Sequence, residues 1–69
     1  MRYYVCNHDY IPLHAQPKNG YTKLQAIERA QREAYQCVKL FGGKIQDYTG
    51  CFHIMDSKFH VLKELDKCI

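Results

Sequence analysis

At 69 residues the chain has room for a single domain, residues 1–69, with one small apolar core near the lower limit of what such a core stabilises unaided. Its four cysteines, Cys6, Cys37, Cys51 and Cys68, contain no C-x-x-C pair, which argues against a zinc ribbon or a thioredoxin-type redox site, and no stretch reaches the roughly 18 apolar residues of a membrane span. The net charge of +3 originates in residues 1–43, where six Lys or Arg face Asp9, Glu28 and Glu33; residues 44–69 balance four against four, so the charge permits a nucleic-acid partner without requiring one.

The opening segment MRYYVCNHDY lacks a continuous apolar h-region, and the expectation is a cytoplasmic protein with reduced thiols. Arg2 to His8 reads as a first strand, because Tyr3, Tyr4 and Val5 suit a pleated surface; Tyr3 and Val5 take one face, Tyr4 and Cys6 the other. From Asp9 to Gly20 two prolines and an Asn-Gly favour a loop, with room for a short edge strand at Tyr10 to Leu13 in which Pro12 needs no ladder N–H. At this length such a loop is often functional.

Thr22 to Phe41 reads as the helix on which the rest is organised. Leu24, Ile27, Ala30, Ala34, Val38 and Phe41 recur at helical steps and define a core stripe. Thr22 and Gln25 have the spacing of a capping box, and Gly42-Gly43 supplies the C-terminal stop. Glu28/Arg32 and Arg29/Glu33 are spaced for ion pairs on the outer face. That face is either simply solvated or a contact surface, in which Arg29, Arg32 and Lys39 meet an acidic partner.

Three strand-like runs follow, Lys44–Tyr48, Cys51–Asp56 and Phe59–Leu65, separated by Thr49-Gly50 and Ser57-Lys58. Two-residue turns would set Ile45 opposite Ile54 and Ile54 opposite Val61, gathering Ile45, Phe52, Ile54, Phe59 and Val61 toward the helix; a one-residue slip would reverse each set. The tail from Lys63 to Ile69 fits a short final turn equally well. The fold class is α+β: a single helix packed on one face of a small, mostly antiparallel sheet in the order β-α-β-β-β, with no internal repeat.

One helix covers only one face of such a sheet. The other would carry Tyr48, Cys51, His53, Met55, His60 and Leu62, with Tyr4 and Cys6 from the first strand, a mixture that suits either a contact surface or a modestly apolar surface with no partner. Cys51 and His53 are the nearest sequence neighbours for nucleophilic catalysis, but no oxyanion site or cleft is signalled, and the His/Cys spacing matches no familiar metal site. The expectation is therefore no enzyme, no metal and no cofactor. Exposed aromatics beside Lys44, with Tyr4 and Tyr48 as stacking platforms, give single-stranded nucleic acid as the alternative partner. A homodimer that buries the sheet face is a third arrangement.

The aromatic strand Met1-Arg2-Tyr3-Tyr4-Val5, the Thr22-capped helix rich in Ala, Gln and Arg, the run Phe41-Gly42-Gly43-Lys44-Ile45 and the hairpin ending near Asp56-Ser57-Lys58 resemble the very small accessory proteins of phages and mobile elements. In length and element order the chain is similar to anti-CRISPR inhibitors of type I surveillance complexes. That resemblance implies a non-enzymatic, cofactor-free protein in the host cytoplasm that docks on a host defence complex and interferes with target DNA recognition. It carries over no individual residue, and the slightly basic charge argues against DNA mimicry. The contact residues expected from the sequence are Arg29, Arg32, Gln36 and Lys39 on the helix, or Tyr48, His53 and His60 on the sheet.

Overall fold

A computed structural model describes residues 1–69 and places a strand β1 at Tyr3–Asn7, a helix α1 at Lys23–Phe41, a strand β2 at Phe52–Asp56 and a one-turn helix α2 at Lys63–Asp66. β1 and β2 pair antiparallel, centred on Val5 opposite Ile54, and α1 lies across one face of this two-stranded sheet. The fold is α+β, with fewer strands than the β-α-β-β-β order.

The helix begins and ends for the reasons visible in its sequence. Thr22 Oγ1 accepts from the Gln25 N–H, Gln25 Oε1 accepts from the Thr22 N–H, and Gly42 closes the far end at φ 80° by donating its N–H to the Val38 carbonyl. Its core stripe is Ala26, Ala30 and Ala34, all fully buried, with Ile27 and Cys37 beside them. Alanine lets the helix axis come close to the sheet, where Val5, Phe52, Ile54 and Leu65 complete the core. Leu24 and Phe41, expected in the stripe, are 65% and 75% exposed. The physical reason is length: 19 residues of helix run about 28 Å, against about 17 Å for each five-residue strand, so both helix ends overhang the sheet.

Two of the expected strands take other forms. Lys44–Tyr48 folds as a 3-10 turn at Ile45–Asp47, because the Asp47 carboxylate accepts the Lys44 N–H and the Tyr48 N–H turns back to the Ile45 carbonyl. A second such turn at Thr49–Cys51 leads into β2. Phe59–Leu65 keeps only a single antiparallel bridge, Met55 opposite Val61, before α2. The register is one residue away from Ile54 opposite Val61, since three residues, not two, turn the chain. The Asp56 side chain accepts the Lys58 and His60 N–H groups, and Phe59 adopts φ 65°. The slip places Leu62 against the core and Phe59 on the opposite face.

The same unit occurs at the other edge. Asn7 Oδ1 accepts from Asp9 and Ile11, Tyr10 adopts φ 63°, and Pro12 makes a bridge to Cys6. The Tyr10 N–H donates to the Asn7 carbonyl as Phe59 does to Asp56, and Leu13 donates to Val5 as Leu62 does to Ile54. Even the outward N–H groups of the central pair are met alike, Val5 by Gln16 Oε1 at 2.7 Å and Ile54 by Asp66 Oδ1 at 3.0 Å. Residues 5–13 and 54–62 are thus an internal structural repeat related by a local two-fold axis through the Val5–Ile54 pair. The reading that the chain has no repeat is corrected: VCNHDYIPL and IMDSKFHVL share an aliphatic residue, Asn or Asp two later, an aromatic three beyond that, and a final Leu. The bridge at Pro12 is the edge pairing expected for Tyr10 to Leu13, with no ladder N–H demanded of the proline.

No helix is long and apolar enough to cross a membrane. No buried side-chain polar atom lacks a hydrogen-bond partner.

Candidate interaction surfaces

The outer face of α1 carries three of the four expected helix contacts. Arg32, Gln36 and Lys39 follow at steps of four and three residues, all exposed, and neither Arg32 nor Gln36 has a hydrogen-bonding or ionic partner within the chain. The Lys39 ammonium stands 5.1 Å from the centre of the Tyr35 ring, a cation–π contact on the surface. Leu24, Tyr35 and Leu40 are exposed large side chains of the same helix, so this surface mixes free cations with apolar groups.

Arg29 belongs elsewhere. Its side chain is only 11% exposed and acts as a clamp between the helix and the loop before it. Nε pairs with Glu33 Oε1 at 2.8 Å, Nη1 donates to the Ala15 carbonyl and the Tyr21 hydroxyl, and Nη2 donates to the His14 carbonyl at 2.8 Å. Burial works against its charge, but the bonds to Tyr21 and Glu33 outweigh it and hold the guanidinium above its ordinary value. Glu28 and Arg32, the other expected pair, do not join.

The expected sheet residues do not converge. Tyr48 lies on the helix side, packed against the core, with its hydroxyl donating to the Gly42 carbonyl. His60 is exposed at the turn, its Nδ1 3.6 Å from Asp56 Oδ2. His53 is half-buried, with Nδ1 2.8 Å from Asp66 Oδ2, and Asp66 is fixed in turn by the Ile54 N–H. A His–Asp pair of this kind orients an imidazole, and the thiol beside it, Cys6, is directed to the His53 carbonyl and not to the ring. The neighbouring Cys6 thiol is fully buried, and burial, followed by the Asp66 charge, pushes it up to about 11. Cys37 is raised as well, by burial and then by Cys51. No three His, Cys, Asp or Glu side chains gather as a metal site, and the molecule encloses no pocket.

The sheet face away from α1 has its own covering, which the sequence reading did not place. Cys6 and Met55 lie in its middle and are buried. Around them the Phe59 ring packs on Tyr4 at 6.4 Å between centroids, and the Tyr10 ring packs on His53 at 5.0 Å. These ring pairs exchange under the local two-fold. Tyr10 and Phe59 nevertheless stay 53% and 63% exposed. The sequence signal for both was the repeated spacing of Asn or Asp to an aromatic three residues on.

Comparison with protein families, with curated proteins and with solved structures finds no match to this chain.

Proposed function

We propose that this chain is a small non-enzymatic interaction protein, in its most specific form an anti-CRISPR-like inhibitor that docks on a type I surveillance complex in the host cytoplasm. The observation that carries the reading is the outer face of α1. There Arg32 and Lys39 form no ion pair and Gln36 no hydrogen bond, on a helix that also exposes Leu24, Tyr35 and Leu40. Arginine and aromatic side chains are enriched in protein interfaces, and free cations select an acidic partner surface. The helix presents them from a rigid base, since its inner alanine stripe and the Arg29 clamp fix it to both the sheet and the loop, and pre-organisation limits the entropy lost on docking. The layout resemblance to anti-CRISPR inhibitors supplies the identity of the partner.

The test is expression of the protein in a bacterium with an active type I system challenged by a targeted plasmid. The reading expects transformation to recover with the wild-type chain and to stay low with R32E/K39E, which changes only solvent-facing groups. Transformation that stays low with both proteins overturns the inhibitor assignment.

A further inference from the structure

From the second, independent surface we infer that the sheet face opposite α1 binds single-stranded nucleic acid, with Phe59 and Tyr10 as base-stacking platforms. Three observations combine. First, both rings sit at positive φ, 65° and 63°, a conformation that glycine or asparagine adopts more readily than a bulky aromatic. Each turn thus holds, against backbone preference, a ring that then stays more than half exposed.

Second, each ring is backed by another, Phe59 by Tyr4 and Tyr10 by His53, which fixes its plane and leaves one surface to solvent. Tyr4 and His53 are set on neighbouring strands, offset diagonally by two residues, so the platforms stand about 7 Å or more apart along the strands. That offset suits two bases of an extended strand. Base–aromatic stacking is tolerant of sequence because every base has a π-face.

Third, three cations lie near the Tyr4–Phe59 end of this face without an ion pair. Lys18 is beside Tyr4, whose hydroxyl donates to the Lys18 carbonyl at 3.1 Å. Lys58 directly precedes Phe59, and Arg2 shares a side with Tyr4, since both line the space next to Gly20. None of the three has an ion-pair partner, whereas the nearby carboxylates are committed: Asp56 to the turn N–H groups, Asp66 to Ile54 and His53. Asp9, beside His8 at 3.5 Å, is the exposed exception, on the Tyr10 side. The Tyr4–Phe59 end therefore complements phosphate, and the two rings complement bases. This differs from the platform expected from the sequence, because Tyr48 lies on the other side of the sheet.

The experiment is fluorescence anisotropy of the full chain with labelled dT10 and rU10 at 50 and 200 mM salt, the two oligonucleotides distinguishing DNA from RNA. Binding of either is expected to weaken about 20-fold over that salt range, as three phosphate contacts on a single strand imply. Phe59→Gly, which relieves the backbone while removing the platform, is expected to weaken binding at least about fivefold, as loss of one stacked base does. Lys18→Glu with Lys58→Glu, which leaves the rings untouched, should weaken it similarly, and R32E/K39E should leave it unchanged. Absence of binding at 50 mM salt, equal affinity for a blunt duplex, or indifference to both the Phe59 and the lysine variants overturns the inference. So does a protein dimer in solution that Phe59→Gly dissolves, since the face would then be occupied by a second copy.

Discussion

Removal of the Arg29 side chain is the perturbation whose outcome the structure fixes most closely. Arg29→Ala deletes one partly exposed i,i+4 ion pair to Glu33, worth about 0.5 kcal/mol. It also deletes the bonds to Ala15, His14 and Tyr21. Hydrogen bonds from a charged donor contribute about 1.5–3 kcal/mol where water is excluded. Here the carbonyls face solvent and recover part of that, which leaves roughly 0.5–1 kcal/mol each and a total of about 2–3 kcal/mol. At about 0.05–0.15 kcal/mol per residue the whole domain has only about 3–10 kcal/mol. Urea and thermal unfolding by circular dichroism measure the loss, and for a domain this size it corresponds to roughly 10–20 °C in Tm. Arg32→Ala, on the same helix but without partners, should fall within about 0.5 kcal/mol of wild type. Equal stability of the two variants would refute the clamp and return Arg29 to the outer surface.

Further outcomes follow from the turns and the core. Gly20→Ala places a methyl group 2.9 Å from Arg2 Cβ and 3.1 Å from the Tyr3 carbonyl at φ +83°, and should destabilise by about 2–4 kcal/mol in the same unfolding assay. Asp56→Asn should fold as well as wild type near neutral pH, because Asn7 already performs the same task in the equivalent turn. The two proteins should part in acid. The His60 N–H, ahead of the Lys58 N–H, holds the Asp56 carboxyl below its ordinary value, so its contribution is present above about pH 4 and is lost as pH falls through the lowered value. Acid titrations of stability that superimpose for Asp56→Asn and wild type would contradict this. Cys6 gives the opposite sign. Its thiol is kept protonated up to about 11, so stability should be unaffected below pH 9 and fall by about 2–3 kcal/mol more than in Cys6→Ala between pH 9 and 11.

The helix was legible in the sequence because its signals are local. The Thr22–Gln25 box and the Gly42 stop need only a few neighbouring residues, and both form as read. Which alanine faced the sheet was less legible, since periodicity admits a stripe through Leu24 and Ala30 or one through Ala26 and Ala30, and the choice is made by where the short strands end. The strand register depended on the length of one turn. Asp56 accepting two N–H groups converts a two-residue loop to three, and that single step moved Phe59 from the core to the far face. Arg29 illustrates a different limit: its place at the edge of the outer face was readable, but the loop carbonyls that claim it lie 14 and 15 residues away in sequence. The aromatic surface of Tyr10 and Phe59 was encoded in a nine-residue repeat that unlike residues at equivalent positions, Asp9 for Lys58 and Ile11 for His60, disguise.

The most direct measurement of the central claim is binding of the purified, nuclease-treated protein to a purified type I surveillance complex, followed by interferometry for the wild-type chain and for R32E/K39E. Docking through the outer face of α1 predicts a stable complex with wild type and at least tenfold weaker binding by the double variant, about 1.4 kcal/mol or more. Absence of a complex, or one that both proteins form equally well, would contradict it.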